Sequence, residues 1–306
     1  MTDGVVTKLS ELIELRRYVH SANYKPERRA LRSGNHLSKL RGRGMDFDEV
    51  RNYQAGDEVR HMEWRVTART GRPHVKLFQE ERERPAILFT DFSPSMYFGT
   101  RIAFKSVIAA RLSALLSWTA IKQGDRVGGL MFSSHNHSEF TPRSREAGVL
   151  PILASLCQYT KGAENDVDFV VGQANFNQAL QRLRRVTRPG SIIVLISDFY
   201  HLDADSERHL SRLRAHNDIL AYHVCDPLEL APPIPQRYAI TNGQEDMLLD
   251  TTQISVKKAY SDYCDKRLYE LKAIMKRNQI QYVQVTSDLD LGLLVRETYP
   301  RRTNHG

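Results

Sequence analysis

Ala86-Ile-Leu-Phe-Thr-Asp91-Phe-Ser93-Pro-Ser95-Met96 is an apolar run that ends in a carboxylate and then two hydroxyls at alternate positions. Its apolar residues are too few to cross a membrane and lack helical spacing, so they read as a strand buried on both faces, as in parallel sheets. Asp91, Ser93 and Ser95 then stand at the strand's carboxyl end, where open α/β sheets bind ligands. A second run of this kind, Ser191-Ile-Ile-Val-Leu-Ile-Ser-Asp198, has five consecutive large apolar residues and also finishes in an aspartate.

Around these runs helical and strand patterns alternate. Phe104, Val107, Ile108, Leu112, Leu115, Leu116 and Trp118 recur at helical spacing and predict a buried helix of about five turns, ended by Gly124-Asp125. Residues 126–132 read as a strand and 139–141 as a short edge strand, with His135 and His137 exposed in the turn between them. Helical faces follow at 147–159 and 176–186, then a short helix around Leu210 and Leu213 and a strand over 218–224. After Ala231-Pro-Pro-Ile-Pro235, residues 238–249 predict a hairpin turning at Asn242-Gly243. A long helix through Tyr260 and Met275, a strand at 279–285 and a helix at 289–297 capped by Ser287 complete the pattern. Strands alternating with helices from Ala86 onward predict a doubly wound, mostly parallel sheet. If the strands ending in Asp91 and Asp198 are neighbours where the strand order reverses, their carboxylates converge on one crevice.

The chain has 306 residues, 41% hydrophobic and 26% charged, which excludes a disordered or fibrous protein. No run approaches the roughly 18 apolar residues of a spanning helix, and the first ten residues lack the apolar core of a signal peptide. Cys157, Cys225 and Cys264 are widely spaced, odd in number and without a CxxC pattern, so buried thiols and a cytoplasmic location are expected. The net charge is +8, and Arg28, Arg29, Arg32, Lys39, Arg41 and Arg43 have almost no acidic company in residues 25–43. That patch reads as a solvated basic surface; nucleic-acid or other anion binding is its alternative, without the interleaved aromatics such binding favours.

Residues 8–18 place Leu9, Leu12, Ile13 and Leu15 on one face of an amphipathic helix that requires a partner further along the chain. Between it and the first strand, charged and aromatic residues alternate with Gly and Asp, predicting short strands and turns. Here the arginines lie close to acids: Asp46, Asp48 and Glu49 near Arg51, and Asp57 and Glu58 near Arg60. Such groups read as ion pairs that pin an extension to the sheet rather than as a catalytic or metal site. The expected division is therefore residues 1–84, a helix and β-rich extension packed on the main domain, and residues 85–300, the main domain.

The ordered series Arg41-Gly-Arg-Gly, Phe47-Asp-Glu-Val-Arg, Tyr53-Gln-Ala-Gly-Asp, Trp64-Arg, Ala68-Arg and Glu80-Glu-Arg resembles the bacterial family known as domain of unknown function 58. The likeness of plan runs from about Arg32 to Arg296. The main domain in turn resembles the von Willebrand factor A fold. The metal-ion-dependent adhesion site of that fold uses a strand-end Asp-x-Ser-x-Ser, a later threonine and a second aspartate. Asp91, Ser93, Ser95 and Asp198 match in type and order, whereas Ala174 stands where the threonine is expected, with Asn175 beside it. The resemblance implies an all-oxygen site for Mg2+, incomplete at Ala174.

Three functions follow as expectations. The preferred one is a non-catalytic protein-interaction module whose bound ion offers an open position to a partner's carboxylate. The resemblance implies that the partner is a MoxR-type AAA+ ATPase, together with other von Willebrand A proteins, in a chaperone-like or stress-related assembly. A hydrolase using Ser93 or Ser95 with His201 is the runner-up, although the Asp-x-Ser-x-Ser turn is no nucleophile elbow and no oxyanion loop is evident. Anion binding through residues 25–43 comes third.

Overall fold

The computed structural model of the chain describes residues 4–20, 45–54, 56–80, 84–100, 102–164, 172–241 and 246–300. The chain divides into two compact units, residues 24–83 and residues 1–23 with 84–306. The amino-terminal helix, expected with the extension, therefore belongs to the main unit.

In chain order the elements are α1 (Leu9–Glu14), α2 (Arg16–His20), β1 (Met45–Asn52), α3 (Trp64–Thr70), β2 (His74–Glu80), β3 (Pro85–Asp91), α4 (Lys105–Lys122), β4 (Arg126–Phe132), β5 (His137–Arg143) and α5 (Glu146–Thr160). They continue with α6 (Gly172–Val186), β6 (Ile192–Ser197), α7 (Ala204–Arg214), β7 (Asp218–Val224), α8 (Pro227–Leu230), β8 (Arg237–Thr241), β9 (Asp246–Asp250), α9 (Ile254–Arg277), β10 (Gln281–Val285) and α10 (Leu291–Thr298).

Among the described residues the main sheet has six strands in the order β10-β7-β6-β3-β4-β5, parallel except for the antiparallel edge strand β5. Counted within the sheet alone, this is the doubly wound order 3-2-1-4-5-6, with its reversal between β3 and β6. These two strands pair directly, Ala86 opposite Ile192 through Thr90 opposite Ile196, which meets the condition for their carboxylates to share one crevice. Both are buried on both faces: Ala86 and Leu88 join one hydrophobic cluster, Ile87 and Phe89 the other. On the second face Phe89, Phe132 and Phe176 meet with ring centroids 4.8 to 5.9 Å apart. Aromatic pairs at such distances add to the burial of their area.

Helix α4 is apolar nearly all round and buried along most of its 18 residues. It supplies the partner that the amino-terminal helix needed. Leu12 is fully buried, its carbonyl accepts from the Trp118 indole at 3.0 Å, and Glu11 pairs with Arg111 at 2.6 Å. At the other end of the chain, α10 is capped by the Asp290 carboxylate, which accepts from Leu293 N at 3.0 Å. Ser287, expected as that cap, lies too far upstream of the first helical residue. The hairpin of β8 and β9 forms as expected, with Asn242-Gly243 outside the described residues.

Within residues 24–83, β1 and β2 pair antiparallel with an irregularity between Phe47 and Glu49. Short strands and turns were expected here, but Trp64–Thr70 is a helix, closed by Gly71 at φ 68°. A left-handed residue after the last helical turn is what glycine supplies without steric cost. Arg51 pairs with Asp57 at 2.7 Å, and Asp57 also accepts from Gln54 N at 2.8 Å, which locks the turn. The side chains of Asp46, Asp48 and Glu49 lie outside the described residues, as do the basic stretch 25–43 and the Arg41-Gly-Arg-Gly motif.

Candidate functional site at the carboxyl end of the sheet

The strands β3 and β6 end at the point where the strand order reverses, and their register brings Asp91 level with Ser197, one position before Asp198. Both carboxylates are buried, at 1% and 0% exposure, and Ser93 at 2%. Asp91 Oδ1 accepts from Ser93 N at 2.8 Å, the turn that lets the chain leave the strand, and Oδ2 accepts from Ser197 Oγ at 2.6 Å. Ser93 Oγ and Ser95 Oγ lie 3.3 Å apart, and Ser95 reaches toward Asp198. The four residues matched to the adhesion site therefore come together.

A fifth charged group stands among them. Lys105 opens α4, its side chain is 3% exposed, and its Nζ donates to Asp198 Oδ2 at 2.8 Å and to Glu229 Oε1 at 2.6 Å. A cation in the first turn of a long helix opposes the helix dipole. It is stable there because two carboxylates surround it. Glu229 is held in turn by the capping box of α8: its Oε2 accepts from Asp226 N, while Asp226 accepts from Leu228 N, Thr100 N and Thr100 Oγ1 at 2.7 to 2.9 Å. Thus β3, β6, β7 and the loop before α4 are joined through one ionic network.

Its electrostatics split the two aspartates. Burial, together with the neighbouring Asp198 charge, pushes the Asp91 carboxyl up to about 7. Burial acts on Asp198 in the same direction, but the Lys105 ammonium outweighs it and holds that carboxyl well below the usual range. Burial works against the charged form of Lys105 too, yet Asp198 and Glu229 raise it above the ordinary lysine value.

The chain leaves Asp198 in strain. Phe199 has φ 52°, a left-handed conformation that is rare for a bulky aromatic residue. That bend brings Tyr200 N to Asp198 Oδ1 at 3.0 Å and Phe199 N to Ser197 Oγ at 2.9 Å. Arg267 of α9 donates to the Asp198 carbonyl at 3.1 Å and lies 4.7 Å over the Tyr200 ring. Backbone strain of this kind gathers at sites where it serves a purpose.

Whether these residues suit a divalent ion is decided by the donors. Both oxygens of Asp91 and both of Asp198 already accept hydrogen bonds, one of them from an ammonium. Ala174 falls in the first turn of α6, and the neighbouring Asn175 amide donates to the Ser134 carbonyl instead of replacing the missing threonine. Among the described residues no group of three or more His, Cys, Asp or Glu is arranged to hold a metal ion. With Lys105 in place the set does not fit Mg2+, which seeks six oxygens in near-ideal octahedral geometry.

His201 stacks edge-on to Tyr200 at 5.4 Å, and among the described residues no hydrogen bond joins it to Ser93 or Ser95. Burial lowers its pKa, which does not compensate for the missing contact. Behind the site His223 is buried, with Nδ1 2.7 Å from the Tyr282 hydroxyl, and burial lowers its pKa from 6.5 to about 4. The unfolded chain therefore takes up this proton first as pH falls. Stability from His223 is complete above pH 6.5 and is lost as pH drops to about 4, by about 3 kcal/mol. Urea unfolding of His223→Phe between pH 7 and 4 should lack this part of the acid sensitivity; an unchanged pH profile would refute the assignment.

Lys105, Glu229 and Arg267 escaped the sequence reading. Two signals were there: a lone lysine opening a helix with no other charge before Arg111, and the D-x-x-E of Asp226 and Glu229 after a strand.

A six-stranded, doubly wound sheet with an antiparallel edge and paired aspartates at its switch point defines an α/β domain of the von Willebrand factor A type. The chain belongs to the family of proteins of unknown function DUF58, whose profile matches residues 49–268. It is 32% identical over 203 residues to the uncharacterized proteins Rv1480 of Mycobacterium tuberculosis and Mb1516 of Mycobacterium bovis, covering 65% of this chain and 61% of each relative. Among solved structures it is similar to the conserved hypothetical protein BatB of Bacteroides thetaiotaomicron, at 12% identity and a TM-score of 0.40, over 70% of this chain and 96% of that one. It is also similar to an aerotolerance-related membrane protein of Bacteroides fragilis, at 13% identity and a TM-score of 0.43, over 70% and 97%. No described helix of this chain is long and apolar enough to cross a membrane.

Proposed function

We propose that this chain is a non-catalytic interaction module that docks a partner at the carboxyl end of its sheet. The observation that carries this reading is the contrast between the floor of the site and its rim. The floor is a buried ionic network, while the adjoining loops and α9 expose Phe98, Ile102, Tyr200 and Tyr263 at 41%, 57%, 54% and 59%. Large apolar and tyrosine side chains beside an arginine are the composition of an interface centre. The partner class that the family resemblance suggests is a MoxR-type AAA+ ATPase, alone or with further von Willebrand A proteins, in the cytoplasm.

The test is affinity capture from the native cell extract, with mass spectrometry of what is retained. A MoxR-type ATPase retained by wild type and lost from Tyr200→Ala and Tyr263→Ala supports the reading. Its absence, together with ester or peptide hydrolysis that disappears in Ser93→Ala, would overturn it in favour of an enzyme. The magnesium dependence implied by the resemblance is tested in the same experiment by adding chelator.

A further inference from the structure

We infer that Lys105 is a built-in cation: its ammonium supplies Asp198 with the positive charge that an adhesion site takes from a divalent ion, and the strand-end cluster is complete without metal. This does not rest on the partner reading, because it concerns only the chain's own residues.

Four observations converge on it. The ammonium bridges Asp198 at 2.8 Å and Glu229 at 2.6 Å, so the carboxylate expected to ligate an ion already has its counter-charge. The lysine cannot simply swing aside, since its side chain is 3% exposed and its stem is enclosed at the start of α4. Ala174 stands where the resemblance expects the threonine donor, and the amide of the following residue, Asn175, is engaged with Ser134. Finally, Glu229 has no counterpart in the Asp-x-Ser-x-Ser set, and while its Oε2 closes the capping box of α8 its Oε1 is left to receive the lysine.

Placing a dication beside a fixed ammonium in a site of low dielectric is strongly repulsive. A tethered ammonium also differs from a metal in what it offers. It has three donors and no open coordination position, so a partner's carboxylate gains no ligand bond here. Contacts made at this end of the sheet are then insensitive to chelator.

Mn2+ titration of the purified protein, followed by electron paramagnetic resonance, tests the inference. Wild type should leave the free Mn2+ signal unchanged, and Mg2+ should not move its melting temperature. Lys105→Ala removes the ammonium and should gain Mn2+ binding by roughly tenfold or more, given the loss of an adjacent like charge. Adding Asp91→Asn to that variant should abolish the gain. Mn2+ bound by wild type and lost in Asp198→Asn would overturn the inference. So would a Lys105→Ala protein that keeps its circular dichroism and binds no Mn2+. Should Lys105→Ala fail to fold, the comparison of wild type with Asp198→Asn decides alone.

Discussion

Lys105→Met should lower the unfolding free energy by about 3–5 kcal/mol at pH 7, the penalty for leaving a buried carboxylate without its partner. Methionine keeps the length and volume of the stem, so the loss reports charge rather than a cavity. Two features make the effect large. Asp198 is fully buried, and its remaining bonds come from Tyr200 N and Ser95, which are neutral donors. Glu229 is 19% exposed and keeps its bond from Asp226 N, so most of the penalty falls on Asp198.

The pH dependence gives the signature. In wild type the folded Asp198 sits below its unfolded value of 3.8, so its stabilisation is present above that pH and is lost as the solution is acidified. Without the ammonium, burial outweighs the two neutral donors and the folded value moves above 3.8. The contribution then reverses sign, being harmless at low pH and increasingly costly as pH rises. Urea midpoints should therefore show a deficit that is larger at pH 8 than at pH 4. A deficit below about 1 kcal/mol at every pH, as for a surface ion pair, would mean that the network is solvated and holds nothing together.

The parts of this site that were legible in the sequence are those set by local pattern. The strands ending in Asp91 and Asp198 were readable because five or so apolar residues followed by an acid have few alternatives in a sheet. Their adjacency was a condition of that reading and not a result of it, because alternating strands and helices set the class of sheet but not which strands pair. Lys105 was not legible as part of the site because its partners are 93 and 124 residues away, and nothing local says which way a helix-opening side chain points. Trp64–Thr70 was missed for the opposite reason. Its helix is short, with Gly71 and Pro73 directly behind it, and its residues carry no apolar periodicity to announce it.

Asp91→Asn should make the protein more stable at pH 8, by about 1–3 kcal/mol. Folding raises the Asp91 carboxyl from 3.8 to about 7, so its stability is full below 3.8 and is lost as pH rises through 7. A displacement of that size corresponds to roughly 4 kcal/mol of strain in the ionised form. Asparagine removes the charge and keeps an oxygen for Ser93 N. Its amide, however, meets Ser197 Oγ, which now donates to Asp91 and accepts from Phe199 N. Ser197 would have to accept twice and leave its proton unpaired, a loss of about 1–3 kcal/mol that offsets part of the gain. At pH 4 the native acid is protonated and the gain should vanish. Equal stability of the two proteins at pH 8 would show that Asp91 ionises there without penalty. A carboxyl that weakens the fold at neutral pH is hard to explain by stability, and natural sequences retain such groups where a site needs them. Lys105 and Asp91 thus belong to different ledgers: removing the first should only harm the fold, whereas removing the second should improve it and leave binding at the rim as the property to be lost.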